Sequence, residues 1–316
     1  MKFSIQKTTM WNRIAAALLD FIIILIVVTG VALLVSWLSG YDKYSKQLED
    51  AHAKYEQEFG VKLDNQQQYN DNVTVVNAKR AYYSNKNNGV SYGVTPEQFS
   101  ALSEQEKSKY VGEDYAVDYA AMITALEADS EYASALVIVE KFNALNEAIK
   151  NDTDINYAMS MLLNLSLIII TLGFLGGYLI VDFIVPLIFK NGQTLGKKIF
   201  GIAVMHTNGV RVNAQYMFIR TLLGKFTIET MIPVFIFLLI LFGGAGIIGL
   251  IVFFGIPLLQ LILLIKTKDT RSVIHDLLAK TTTVDIKSQM FFDNEEHLAE
   301  YKREIAAEEA AKSKYF

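Results

Sequence analysis

Residues 14–38, 158–189 and 227–265 are apolar over lengths that a water-soluble core does not use. In hydrocarbon, every backbone N–H and C=O must find its partner inside the segment, so stretches of this kind fold as helices. Residues 14–38 number 25, enough to cross a bilayer with some tilt. Within these stretches sit two aspartates, Asp20 in the first and Asp182 in the second. A bare carboxylate in hydrocarbon costs several kcal/mol, so intramembrane acids mark functional candidates.

The chain has 316 residues, 52% hydrophobic and 20% charged, with a mean hydropathy of +0.27. This is the composition of a polytopic membrane protein with a polar section. It contains no cysteine, which excludes disulfides, thiolate nucleophiles and Cys-ligated metals. HExxH, GxSxG and metal-ligand spacings are absent around the four histidines, so the sequence points to no enzyme, metal or cofactor. Nothing in it points to nucleic acid.

Charge sets the expected topology. Residues 41–157 carry 11 Lys/Arg against 20 Asp/Glu, whereas residues 190–226 carry six bases (Lys190, Lys197, Lys198, Arg211, Arg220, Lys225) and no acid. Lys2, Lys7 and Arg13 precede the first span, and Lys266, Lys268 and Arg271 follow the last. Basic flanks face the cytosol. All three clusters reach it only with an even number of spans, both termini inside and residues 41–157 outside. A signal peptide is the competing reading of the N-terminus, but its apolar run is too long and no A-x-A site ends it.

The expected architecture is mainly α: a bundle of four transmembrane helices, an α-helical extracytoplasmic insert and a small cytosolic β-hairpin. Its sections are 1–40, 41–157, 158–189, 190–226, 227–265 and 266–316. Gly173 and Gly177 give a GxxxG spacing for close helix approach, and Pro186 should kink the end of the second span. Gly243-Gly244-Ala245-Gly246 divides 227–265 into arms 227–242 and 247–265, the first starting as early as Leu222; a re-entrant hairpin is the alternative.

The insert reads as helical. Thr95-Pro96-Glu97-Gln98 and Ser103-Glu104-Gln105-Glu106 are helix starts, residues 85–89 a loop, and residues 116–150 carry apolar positions at three- and four-residue steps. Its tyrosines either pack a small core or form a partner-binding face. In residues 199–213 the period changes to two around Asn208-Gly209, a hairpin signal, with 281–286 able to join. Asn213 caps an amphipathic helix, 214–225. Asp293-Asn294-Glu295-Glu296 starts a C-terminal helix.

Three stretches together resemble the RDD family of membrane proteins. Arg13-Ile14-Ala15-Ala16-Ala17-Leu18-Leu19-Asp20 is similar to its opening. Asn191-Gly192-Gln193-Thr194-Leu195-Gly196-Lys197-Lys198, continuing to Val204, is similar to its central G-x-T-x-G-K segment. Residues 271–281, with His275-Asp276, are similar to its closing element. The likeness covers residues 8–40 and 158–287 and leaves out 41–157. It matches the second family aspartate to Asp276, making Asp182 this chain's own addition. The resemblance implies an integral membrane protein and a transporter of undefined ligands, ion exchange among them. Composition is compatible with a bacterial plasma membrane.

Arg13 and Asp20 lie two turns apart on one helix face. At 1.5 Å per residue, Asp20 is about 10 Å below the surface, Asp182 about 12 Å and Gln260 about 9 Å. Three spans thus place polar groups at one level, a candidate site for protons or a monovalent cation. Two adjacent carboxylates cannot easily both ionise, which suits competition between proton and cation. The alternative is that each carboxylate caps or pairs locally. Gly192 to Lys198 fails as a P-loop, having three residues between the glycines. It reads instead as a turn where Lys197 and Lys198 hold anionic headgroups. His275-Asp276 reads as structural, with Asp276 pairing Arg220 or Lys197. Two functions remain: a proton-coupled cation exchanger, or a non-catalytic platform whose 41–157 domain binds an envelope partner. Homo-oligomers fit either.

Overall fold

In the computed structural model, residues 4–86, 103, 122–244, 246–267 and 270–313 are described. The helix starts at 95–98 and 104–106, the loop residues 87–89, Tyr92, Tyr110, Tyr115, Tyr119, Ala245 and Lys268 lie outside them. The chain divides into two compact units, Met1–Gly40 with Asn164–Phe316, and Tyr41–Leu163.

The first unit holds the apolar helices. α1 (Met10–Ser39) starts at Thr9, whose Oγ1 accepts the Asn12 N–H at 3.3 Å, and stops at Gly40, φ 69°. The elements of the 41–163 unit follow: α2 (Tyr41–Phe59), α3 (Gln66–Lys86) and α4 (Ser130–Asn151). α5 (Thr153–Phe189) begins there and continues into the first unit. After it come α6 (Leu195–Ile199), β1 (Ile202–His206), α7 (Ala214–Leu241), α8 (Gly246–Lys266), α9 (Ile274–Leu278), β2 (Thr281–Asp285) and α10 (Glu295–Ser313). Among the described residues α1, α5, α7 and α8 are long and apolar enough to cross a membrane. This is a mainly helical, multi-pass membrane protein.

The expected GxxxG contact forms. A Cβ on Gly177 would lie 2.6 Å from Val28 Cγ2, and one on Gly173 would lie 3.3 Å from the Val28 carbonyl, so α1 rests directly on this face of α5. Near Pro186 the helix widens into a π-helical turn, Leu179–Ile184. Proline has no N–H to give the carbonyl four residues back, that of Asp182. The Thr221 hydroxyl donates to that carbonyl instead, at 2.9 Å.

Residues 214–225 are not a separate amphipathic helix. α7 runs unbroken from its Asn213 cap to Leu241. Residues Ile219–Met231 take the wide π-helical turn, and the charged side chains on that stretch, Arg220, Lys225 and Glu229, are paired inward, so no break is needed before the apolar part. The turn at Gly243, φ 72°, separates α7 from α8. At 21 residues, α8 is about 32 Å long.

Residues 281–285 join the β-structure, as their strand pattern allowed, and they rather than the returning hairpin arm form its main ladder. β1 lies antiparallel to β2, with Ile202 opposite Asp285 and His206 opposite Thr281. The Asn208-Gly209 turn forms, the His206 N–H donating to the Val210 carbonyl at 2.9 Å, but the returning segment meets β1 in a single isolated bridge, Met205 with Arg211, and forms another with Phe292 through Val210. The Asn191 carbonyl takes the Val204 N–H on that edge, which ends the ladder after one rung. Ala203, Met205 and Val284 form the small core beneath the sheet.

Among the described residues of the 41–163 unit, two apolar clusters form the core. Val76, Leu126, Tyr132 and Ala135 make one buried cluster, and Val61, Phe142 and Leu145 another. Asp129 caps α4 by accepting the Glu131 and Tyr132 N–H groups. The described tyrosines mostly serve this core: Tyr132 is buried, Tyr69 packs on Phe142, and Tyr55 donates to Asp152 at 2.7 Å. Tyr82 is exposed. At the C-terminus, Asn294 caps α10 through the His297 N–H.

Candidate functional site

One end of the first unit gathers the start of α1, the end of α5, α6, the start of α7, α9 and the sheet. Four acids and four bases meet there inside the protein: Asp20, Asp182, Glu229 and Asp276 with Arg13, Lys197, Arg220 and Lys225.

Asp20 is held by α6. Its Oδ1 accepts the Gly196 N–H at 2.8 Å and its Oδ2 accepts the Thr194 hydroxyl. A side chain on Gly196 would collide with the Ala16 carbonyl and the Asp20 carboxylate, so only glycine lets α6 approach α1 this closely. Gly192 has φ 64°, and a Cβ there would lie 2.8 Å from Val204. The central motif is therefore a tight seat for Asp20. Its backbone donors receive this chain's own carboxylate, not a headgroup. Lys197 points inward, its side chain 11% exposed, against the expectation of a lipid contact. Lys198 is exposed, its ammonium over the Phe189 ring.

The Lys197 ammonium lies 3.7 Å from Asp20 Oδ2, 4.0 Å from Asp182 Oδ1 and 3.2 Å from Thr194 Oγ1. Asp20 and Asp182 do approach one site, but with a lysine between them. Burial, with Lys225 close by, pushes the Lys197 amine down to about 8. Lys225 donates to Asp182 Oδ1. Asp182 is 2% exposed, and its Oδ2 accepts no hydrogen bond among the described residues.

A second pair lies beside the first. Arg220 binds Asp276, as the sequence allowed, and also donates to Thr281 Oγ1 at 2.7 Å. Arg13 donates to the Arg271 carbonyl at 2.9 Å and lies 3.9 Å from Asp276. Burial alone would raise the Asp276 carboxyl, but Arg220, His275 and Arg13 hold it at about 2. His275 shares its Nδ1 with the Glu229 carboxylate at 2.9 Å. Burial, together with Arg220, lowers its imidazole below the usual range. A Cβ on Gly224 would strike His275, so α9 sits tight on α7.

Between these groups lies a cavity of about 530 Å³. Gln260 lines it, as expected from its depth, and its amide makes no hydrogen bond among the described residues. Sequence reasoning missed Lys225 and Glu229. On an ordinary helix Arg220 and Lys225 face different ways, whereas the π-helical turn, with its five-residue spacing, brings them to one side. Glu229 carried a signal, as a third acid in an apolar stretch.

The RDD family model matches residues 132–280. That match starts within α4, earlier than the expected 158, and does not extend to the Arg13–Asp20 stretch that touches its Thr194 and Gly196. No curated protein matches the chain, and no solved structure does. Residues 132–280, with the G-x-T-x-G-K seat and the His275-Asp276 pair, are an RDD family domain within a chain of four candidate membrane spans.

Proposed function

We propose that this protein is a proton-coupled exchanger of monovalent cations, with Lys197 as a tethered competitor for the cation. The observation that carries the reading is the Lys197 ammonium between Asp20 and Asp182, at 3.7 and 4.0 Å. While protonated, it neutralises the second carboxylate, Lys225 having taken the first. Once it loses its proton, two carboxylates and one ammonium leave a single negative charge. A monovalent cation restores neutrality, with the free Asp182 Oδ2 and the Gln260 amide at the cavity wall as oxygen ligands. One proton leaves for each cation bound. An amine poised at about 8 makes the exchange responsive near neutral pH. The basic flanks orient the cluster toward the cytosol of a plasma membrane, both termini inside.

The test is flux in vesicles carrying the full chain under an imposed pH gradient. Sodium or potassium should dissipate the gradient, increasingly as pH rises through about 8. Lys197→Met should remove that pH dependence and Asp182→Asn the flux. A wild-type protein that leaves the gradient intact with every alkali cation overturns the proposal. A second reading has support too: Asp20 is fully occupied by Thr194 and Gly196, as in a structural staple. A non-catalytic platform would then present the 41–163 unit to an envelope partner, and Asp182→Asn would alter stability without any flux to lose.

A further inference from the structure

The cavity has two chemically different sides. Ile14, Phe21 and Ile24 of α1 and Leu261 and Leu264 of α8 give it apolar walls. Phe21 is 54% exposed and Leu261 58%, and both belong to helices that cross the membrane. The mouth between α1 and α8 therefore faces lipid tails. At roughly 8–9 Å from the helix end, by about 1.5 Å per residue, Gln260 and Leu261 sit just beneath the headgroup layer.

The floor is polar and carries both signs. Asp182 Oδ2 is a buried carboxylate oxygen without a donor, a costly state unless something donates to it. Beside it, Lys197 donates one hydrogen bond, to Thr194 Oγ1 at 3.2 Å, and the two carboxylates at 3.7 and 4.0 Å lie beyond hydrogen-bond reach, so its ammonium keeps N–H donors for an anionic oxygen. An ammonium site and an anion site adjoin beneath an apolar cleft. A cavity of about 530 Å³ falls in the range of small-molecule sites.

We propose that this cleft binds an aminophospholipid, its primary ammonium on Asp182, its phosphate on Lys197, and an acyl chain leaving between α1 and α8. A primary ammonium offers N–H donors that a quaternary one lacks, and an anionic glycerol headgroup offers no cation to Asp182. The site thus selects by the amine. The lipid ammonium would take the Asp182 oxygen that the exchange reading gives to the cation, but lipid capture is measured without flux, so each reading can fail alone.

The test uses the delipidated full chain in detergent, with bound lipid counted by native mass spectrometry against phosphatidylethanolamine, phosphatidylcholine and phosphatidylglycerol. Phosphatidylethanolamine should bind about tenfold tighter than phosphatidylcholine, the worth of one charge-assisted hydrogen bond. The pair Asp182→Asn with Lys225→Met removes both charges together and should abolish that preference. Leu261→Trp, which fills the mouth and leaves every charge in place, should abolish lipid capture. Equal binding of the three lipids, or a preference for phosphatidylglycerol, overturns the proposal. So does phosphatidylethanolamine retained by Leu261→Trp. Free phosphoethanolamine displacing the lipid at equal concentration would also overturn it, placing a soluble ligand in the cleft.

Discussion

The two units of this protein bury opposite things. In the 41–163 unit, Leu126, Phe142 and Leu145 are inside while Lys79 meets Asp129 and Glu131 near the protein surface, at 3.0 and 2.7 Å. In the other unit, Ile26, Leu33, Ile251 and Phe254 stand exposed and Asp20, Asp182, Arg220 and Asp276 are inside. One rule covers both. Each unit turns toward its solvent the groups that solvent accepts, and lipid accepts no charge. What differs is the consequence of breaking a pair. In water a separated ion is hydrated, whereas in the membrane unit it is stranded.

The largest effect should therefore come from stranding a buried ion. Asp276→Ala leaves Arg220 uncompensated and should cost about 3–5 kcal/mol, read as a lowered melting temperature in detergent. Replacing both partners, Arg220→Met with Asp276→Leu, should recover most of that loss. A double variant as unstable as the single one would show that Arg220 matters through Thr281 and the sheet, not through its charge.

Next is the apolar core of the 41–163 unit. Leu145→Ala opens a cavity and should cost about 2–5 kcal/mol, read as faster proteolysis within residues 41–163 of the full chain. If the membrane unit's melting falls equally, the two units are not independent in stability.

Acid titration should give the smallest effect, and it separates the units. Asp276 is held at about 2 against an ordinary 3.8, so its contribution is present above about 4 and lost as pH falls toward 2. Asp129 is lowered to about 2 as well, by the Tyr132 N–H and then Lys79, so the direction is the same. Its side chain lies nearer the surface, 14% exposed against 1% for Asp276, and the loss there should be smaller. Lys79→Met should likewise change stability little. A melting temperature of the 41–163 unit that drops sharply with this variant would overturn the view that its surface pairs are weak.

Much of this was legible in the residues. Apolar lengths mark the spans, Gly243-Gly244 the turn between α7 and α8, Gly173 and Gly177 a close approach by a neighbouring helix, and Asn213 and Asn294 the caps. Arg220 was named as a partner of Asp276. The hairpin was misjudged because Asn208-Gly209 reports only the turn, while strand pairing was decided by Asn191 on one edge and by β2, some 75 residues further along the chain, on the other. Lys197 was taken for a headgroup contact because a short basic motif does not reveal which way its lysines point.

The sequence by itself determined that the chain carries four long apolar helices and that Asp20 and Asp182 had to be accounted for among them. Those follow from transfer energies, which each residue carries with it. Only the tertiary structure decided that a lysine stands between Asp20 and Asp182, that α6 is seated on Asp20, and that Lys225 turns toward Asp182. Such pairings depend on helix phase, on wide turns at 179–184 and 219–231, and on glycine-permitted approaches, which arise only when distant segments meet.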